Sequence, residues 1–139
     1  MNLEESPGFL LNKLAHQLTE RLDKRLQQHG VSISQWAILA LLWSADGLSQ
    51  YELQQRLGVQ GATITGLLNR MARLDLILRR KDESDRRIQR IFLTPRARSL
   101  ERILWREAQE VNEQALSGFS PEEKALFLRL IIWASANLF

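Results

Sequence analysis

The chain has 139 residues, enough for one domain with a real core, and 45% hydrophobic with 25% charged residues is the profile of a folded globular protein. It has no cysteine, which removes disulfides, thiolate metal sites, cysteine nucleophiles and thiol redox sensing together. The net charge is only +3, but it is unevenly placed. Arg70 to Arg102 hold eleven Lys/Arg against five Asp/Glu, a balance of +6, and the rest of the chain is at −3. A short segment that carries all the excess is expected of a surface that meets phosphates.

The N-terminal "MNLEESPGFLL" is acidic, without the basic opening of a signal peptide, and no apolar run approaches the ~20 residues that span a bilayer. The expectation is a cytoplasmic protein with no membrane partner. Ser6-Pro7 then predicts a helix start, because proline at the first helical position loses only an amide that is unpaired anyway. Leu11, Leu14, Leu18, Leu22 and Leu26 recur at steps of three and four and place one face of a long helix inward, up to Gly30. Ser34 is expected to open a second helix with Trp36, Leu39, Leu42 and Trp43 buried, broken at Asp46-Gly47.

"SQYE", Ser49 to Glu52, is a capping box, in which side chains three residues apart satisfy each other's free backbone amides. The short helix it opens buries Leu53 and Leu57 and stops at Gly58. Another follows at once, over Gln60 to Leu74, with Ile64, Leu67, Leu68, Met71 and Leu74 inward, which makes a helix-turn-helix pattern. "LILRRK" (Leu76 to Lys81) and "RIFLT" (Arg90 to Thr94) are β-prone runs around a polar segment, hence a hairpin directly after the second helix of the motif. Thr94-Pro95 predicts one long fifth helix carrying Leu100, Ile103, Leu104, Ala108, Val111 and Ala115 to Gly118. "SPEE", Ser120 to Glu123, caps a last helix that is apolar on nearly every side. A helix hydrophobic all round is a buried one, and a second copy of the chain is its simplest cover. The expected fold is mainly α: a winged helix-turn-helix with a two-stranded β wing, and N- and C-terminal helices forming a dimerisation region. The expected division is residues 1–33, 34–95 and 96–139 within one compact domain per chain.

"DESDRRIQRIFLT", Asp82 to Thr94, resembles the wing signature of MarR-type transcriptional regulators at Asp82, Asp85, Arg87, Ile91, Leu93 and Thr94. "LSQYELQQRLGVQGATITGLLNRMARL" resembles that family's helix-turn-helix, and the order of elements matches end to end. The resemblance implies a homodimer that binds palindromic double-stranded operator DNA, represses transcription and is released by a small aromatic or anionic effector. It also implies that the first, fifth and sixth helices build the dimer. Three positions depart from the family's pattern: Gln60 where a better cap is usual, Gly66 where a longer, often basic residue is common, and Asp75 where glycine usually stands.

The residues then take roles. The exposed side of the second motif helix presents Gln60, Gly61, Thr63, Thr65, Asn69, Arg70 and Arg73. The short polar residues near its start can approach base edges, and Arg70 and Arg73 can hold phosphates. At the hairpin tip Arg86 and Arg87 are the candidates for a narrow, negative A·T minor groove, with Asp85 fixing one of them through a charge-assisted pair. For an effector, the resemblance points to the junction of dimer region and DNA-binding lobe, with His16, Gln35 and Trp36 as candidate lining. His16 and His29 lie ~20 Å apart by helical rise and cannot share a metal within one chain, so no metal or cofactor is expected. With no cysteine, two distant histidines and no phosphate loop, nothing points to an enzyme. The alternative from another class is a winged-helix protein–protein adaptor that has lost DNA binding.

Overall fold

The leucine repeat of the first helix meets two different environments. A computed structural model describes residues 1–139, and in it α1 spans Pro7–Gln27, after a 3-10 turn at Leu3–Glu5. Leu22 and Leu26 are in the core and Leu14 and Leu18 half-buried, while Leu10 and Leu11 are exposed. The C-terminal half of α1 therefore packs on its own chain and the N-terminal half does not. The end of α1 is tied across to a later helix by Arg25, which pairs with Glu110 and lies 3.6 Å from Glu107, and by His29, 3.6 Å from Glu107.

α2 runs Ile33–Ser44. Its cap is Ser32, not Ser34: the Ser32 hydroxyl accepts from the Gln35 amide at 3.2 Å, and the Gln35 side chain accepts from the Ser32 amide at 3.0 Å. Ser34 has no such partner three residues on, because Gln at that spacing follows Ser32. The buried side holds Ile38, Leu39 and Leu42. Trp36 and Trp43 are only half-buried, a large ring being seldom covered completely in a chain of this size. The Trp43 indole N–H donates to the Ala97 carbonyl at 3.1 Å.

α3 (Gln50–Leu57) starts at the Ser49–Glu52 capping box and ends at Gly58 in the left-handed region, φ 66°. α4 (Gly61–Arg73) follows with Ile64, Leu67, Leu68 and Met71 buried. Leu74, expected inward, is 40% exposed: it caps the helix, and the chain turns at Asp75 (φ 59°) to bury Leu76 instead. Aspartate tolerates that conformation better than most residues. The hairpin pairs β1 (Ile77–Lys81) with β2 (Gln89–Leu93) antiparallel, Ile77 opposite Leu93 and Lys81 opposite Gln89. Ser49 adds a one-residue bridge to Arg90 on the outer edge of β2.

The expected single fifth helix is two. α5 (Pro95–Ser99) begins at Thr94, whose hydroxyl accepts from the Ala97 amide at 3.1 Å, and α6 (Glu101–Ala115) begins after Leu100. Leu104, Ala108 and Val111 of α6 are buried, whereas Ile103 and Ala115 face outward. One hydrophobic core joins α1 to α6 and both strands. α7 (Pro121–Asn137), opened by the Ser120–Glu123 capping box, contributes nothing to it and buries no residue. Leu128 is 57% exposed, Ile132 69% and Trp133 65%.

Candidate nucleic-acid interface

The wing stands out from the core but is not loose. Asp82 organises its loop: one carboxylate oxygen accepts the Ser84 and Asp85 amides at 3.0 and 2.9 Å, and the other accepts the Arg90 Nε at 2.6 Å. The Arg90 side-chain bond, followed by the Asp85 amide, holds the Asp82 carboxyl below the usual carboxylate range. Arg90 also donates to the Gly47 carbonyl at 3.1 Å and lies 3.8 Å from Glu52 on α3. Next to it the Ile91 amide donates to the Leu48 carbonyl at 2.9 Å. These bonds clamp β2, from its middle to near the hairpin loop, to the loop before α3. Gly47 is needed there: its φ is 86°, and a Cβ would come within 3.0 Å of the Phe92 ring, which Arg80 covers on the wing at 5.6 Å.

The two arginines of the tip divide. Arg87 is gripped by its own loop, with Nε and Nη2 donating to the two Asp85 oxygens at 3.0 and 2.9 Å. The pair pushes the Asp85 carboxyl down and keeps the Arg87 guanidinium more firmly charged. Its side chain is still 90% exposed, so the grip sets a pose without hiding the charge. Arg86 is exposed and makes no ion pair or hydrogen bond through its side chain.

On α4, Gln60, Thr63, Thr65, Asn69, Arg70 and Arg73 are exposed and Gly61 half-buried. Gln60 occupies the cap position without a side-chain bond, so its amide is uncommitted. Thr65 and Asn69 are engaged. The Thr65 hydroxyl donates to the Gly61 carbonyl at 3.0 Å and accepts from the Gln50 side chain at 2.9 Å. The Asn69 carbonyl oxygen accepts from Arg79 of β1 at 2.6 Å. A Cβ on Gly66 would meet only the Arg70 guanidinium, at 3.7 Å, so Arg70 lies over the place where a longer residue would stand.

A cleft of ≈ 690 Å³ separates α3 from the wing, with Gln50, Tyr51, Gln54, Lys81, Arg86 and Arg87 among its walls. The helix α4, the cleft and the wing thus adjoin along one surface: polar where α4 is, cationic where the hairpin is. Such a surface suits a polyanion that offers hydrogen-bonding edges beside regular phosphates.

The three residues placed at an effector site are less closely grouped. His16 is a surface residue, 79% exposed in its side chain and 3.9 Å from Glu20 one turn along its own helix. Gln35 is the capping-box partner of Ser32. Trp36 packs edge-on against Trp105 of α6, ring centroids 5.3 Å apart at 74°, and its indole N–H is buried with no acceptor.

Asp82, Arg90 and Gln50 make bonds that organise this surface and to which the residues above give no role. "DESD" does contain a signal for the first, since an Asp two and three residues before the amides it accepts is a common turn arrangement. Arg90 and Gln50 reach partners on other elements, and no local pattern marks them.

The model of the MarR family matches residues 31–89, from the end of the loop after α1 to the first residue of β2. Among curated proteins the chain is 31% identical over 99 residues to the HTH-type transcriptional regulator TtmR of Methylorubrum extorquens, covering 71% of this chain and 51% of that protein. It is 35% identical over 105 residues to the HTH-type transcriptional repressor YetL of Bacillus subtilis, covering 73% of this chain and 62% of that one. The chain spans 51% to 66% of the length of the first curated relatives it matches. A crystal structure of a MarR-family transcriptional regulator from Silicibacter pomeroyi superposes with a TM-score of 0.84 at 25% identity, covering 99% of this chain and 93% of that one.

Proposed function

Since the chain belongs to the MarR family, we propose that it is a sequence-specific DNA-binding transcriptional regulator: a homodimeric, cytoplasmic repressor released by a small-molecule effector, and not an enzyme. The observation that carries the DNA reading is the continuity of the surface. A hairpin braced along β2, with Arg86 and Arg87 at its tip, stands beside the exposed polar side of a helix-turn-helix, across a cleft walled by Lys81 and both arginines. On B-DNA, α4 enters the major groove with Gln60, Gly61, Thr63, Thr65 and Asn69 toward the base edges, Arg70 and Arg73 hold phosphates, and the wing reaches the flanking minor groove. Two copies related by a two-fold axis read a palindromic site.

What supports the dimer is α7, an amphipathically unpatterned helix with no buried residue, together with the exposed Leu10 and Leu11 of α1 and Ile103 of α6. Apolar surface on this scale calls for cover. The effector part rests on Trp36. A buried indole N–H without an acceptor is uncommon, and an aromatic carboxylate lying against Trp36 and Trp105 would supply one. Titration of tryptophan fluorescence with such carboxylates, followed by loss of DNA binding at the same concentrations, tests this arm. Nothing on the molecule favours the adaptor reading.

Salt dependence tests the DNA reading. On duplex DNA, log affinity should fall linearly with log salt, at a slope of about −0.9 for each phosphate neutralised. A flat response would overturn it.

A further inference from the structure

We propose that Gln50, on the first helix of the motif, belongs to the DNA-reading surface and determines what Thr65 can read. This rests on the DNA-binding function proposed above and goes into the interface itself. Gln50 is the first residue of α3, directly after the cap, and its side chain crosses to α4 instead of serving its own helix. Its Nε2 donates to the Thr65 oxygen at 2.9 Å, and the Thr65 hydroxyl donates to the Gly61 carbonyl one turn back at 3.0 Å.

A hydroxyl has one hydrogen. Here it is committed to the helix, so Thr65 has no donor to offer to N7, O6 or O4 in the major groove. What it presents is its γ-methyl, whose complement there is the methyl of thymine. Gln50 holds that rotamer. Its own carboxamide keeps a second N–H and the carbonyl oxygen uncommitted, at the border of the cleft that also holds Tyr51, Lys81, Arg86 and Arg87. That cleft lies between the helix placed in the major groove and the hairpin placed in the minor groove. The sugar–phosphate strand separating the two grooves is what passes through it, and the free Gln50 N–H takes one of its phosphate oxygens.

The test starts from duplexes that the wild-type protein selects out of a randomised pool, with each thymine of the selected site then replaced singly by deoxyuridine. Wild type should lose about fourfold in affinity at one thymine per half-site, the effect of one methyl group. Thr65→Val keeps a methyl and should keep the penalty, whereas Thr65→Ser should abolish it. Gln50→Ala should reduce the penalty and weaken binding to every duplex about equally while leaving the salt slope unchanged, because a neutral carboxamide on a phosphate releases no counterion. The Ser49–Glu52 cap is untouched by that change, so its circular dichroism should match wild type. A Gln50→Ala protein with the wild-type affinity and uracil profile, or a wild type indifferent to uracil everywhere, overturns this inference while leaving DNA binding in place. A wild type that selects no duplex at all overturns the proposed function together with it.

Discussion

Arg86 and Arg87 are neighbours in sequence, yet only Arg87 has a partner. An arginine already oriented by a carboxylate enters a groove with less freedom left to lose, while an unpaired one is free to seek phosphate or base. Replacing both with alanine should lower DNA affinity about tenfold or more where A·T runs flank the half-sites, and less beside G·C, because the narrow groove's potential is what attracts them. Asp85→Ala should fall between wild type and the double variant, since it releases Arg87 without removing it. Titrations on duplexes with altered flanks check the order. A double variant that binds every duplex as tightly as wild type would show that the wing does not read DNA. The carboxylates also set a pH window. Asp82 and Asp85 are both depressed in the folded wing, so their contribution is complete above the ordinary carboxylate value of about 3.9 and is lost as pH falls through the lower folded values. The protection of the Ser84 and Asp85 amides, whose N–H groups Asp82 accepts, measured as exchange relative to the intrinsic rate at each pH, should hold near neutrality and be lost only in acid below about pH 4.

Three helices start at capping boxes, headed by Ser32, Ser49 and Ser120, and two of the three are plain in the sequence. The Ser49 cap is buried and its residue also bridges to β2, so it fastens helix and wing together. Ser49→Ala should destabilise the protein by about 1 kcal/mol, read as a lowered urea midpoint at constant m. Leu53, fully buried on the inner face of the same helix, sets the scale for comparison: Leu53→Ala should cost about 2–5 kcal/mol. The turn from α4 into the wing can be tested in the opposite direction. Asp75 has φ 59°, and its carbonyl, kept by any residue, accepts the Thr94 hydroxyl at 2.7 Å. Asp75→Gly should relieve the left-handed strain and leave stability unchanged or raised by up to ~1 kcal/mol, with the same midpoint assay as readout.

For the molecule as a whole, α7 is the element that the single chain leaves unexplained. Most helical stability in proteins comes from packing of an apolar face, and α7 has no packed face on its own chain. Leu128→Glu and Ile131→Glu, at positions 57% and 38% exposed, should therefore yield monomers or aggregates. A stable, folded wild-type monomer in light scattering at micromolar concentration would refute the dimer. The ties of α1 to α6 through Arg25, His29, Glu107 and Glu110 make that region continuous with the core. Charge placed on α7 should accordingly affect assembly before it affects the fold of the DNA-binding half.

Whatever depends on near neighbours in the chain was legible in the residues. The leucine steps of α1, the Ser49 and Ser120 boxes, the turn at Gly58, the inner face of α4 and the alternation of β2 all arise from periods of 3.6 or 2 and from side chains meeting amides three residues away. The location of the cationic segment at the wing follows from the same order. Tertiary structure decided what depends on distance. Trp36 and Trp43 are half-covered because of what α6 and Ala97 bring to them, and Leu74 faces out because the turn at Asp75 commits Leu76 to the core. It also decided which residues of the candidate interface remain free. Asn69 is engaged by Arg79 and Thr65 by Gln50, and the wing is held upright by Arg90 reaching Gly47, 43 residues earlier. Hydrogen bonds are directional and short, so a partner on another element has no signature in the sequence beside it until the fold sets the two within 3 Å of each other.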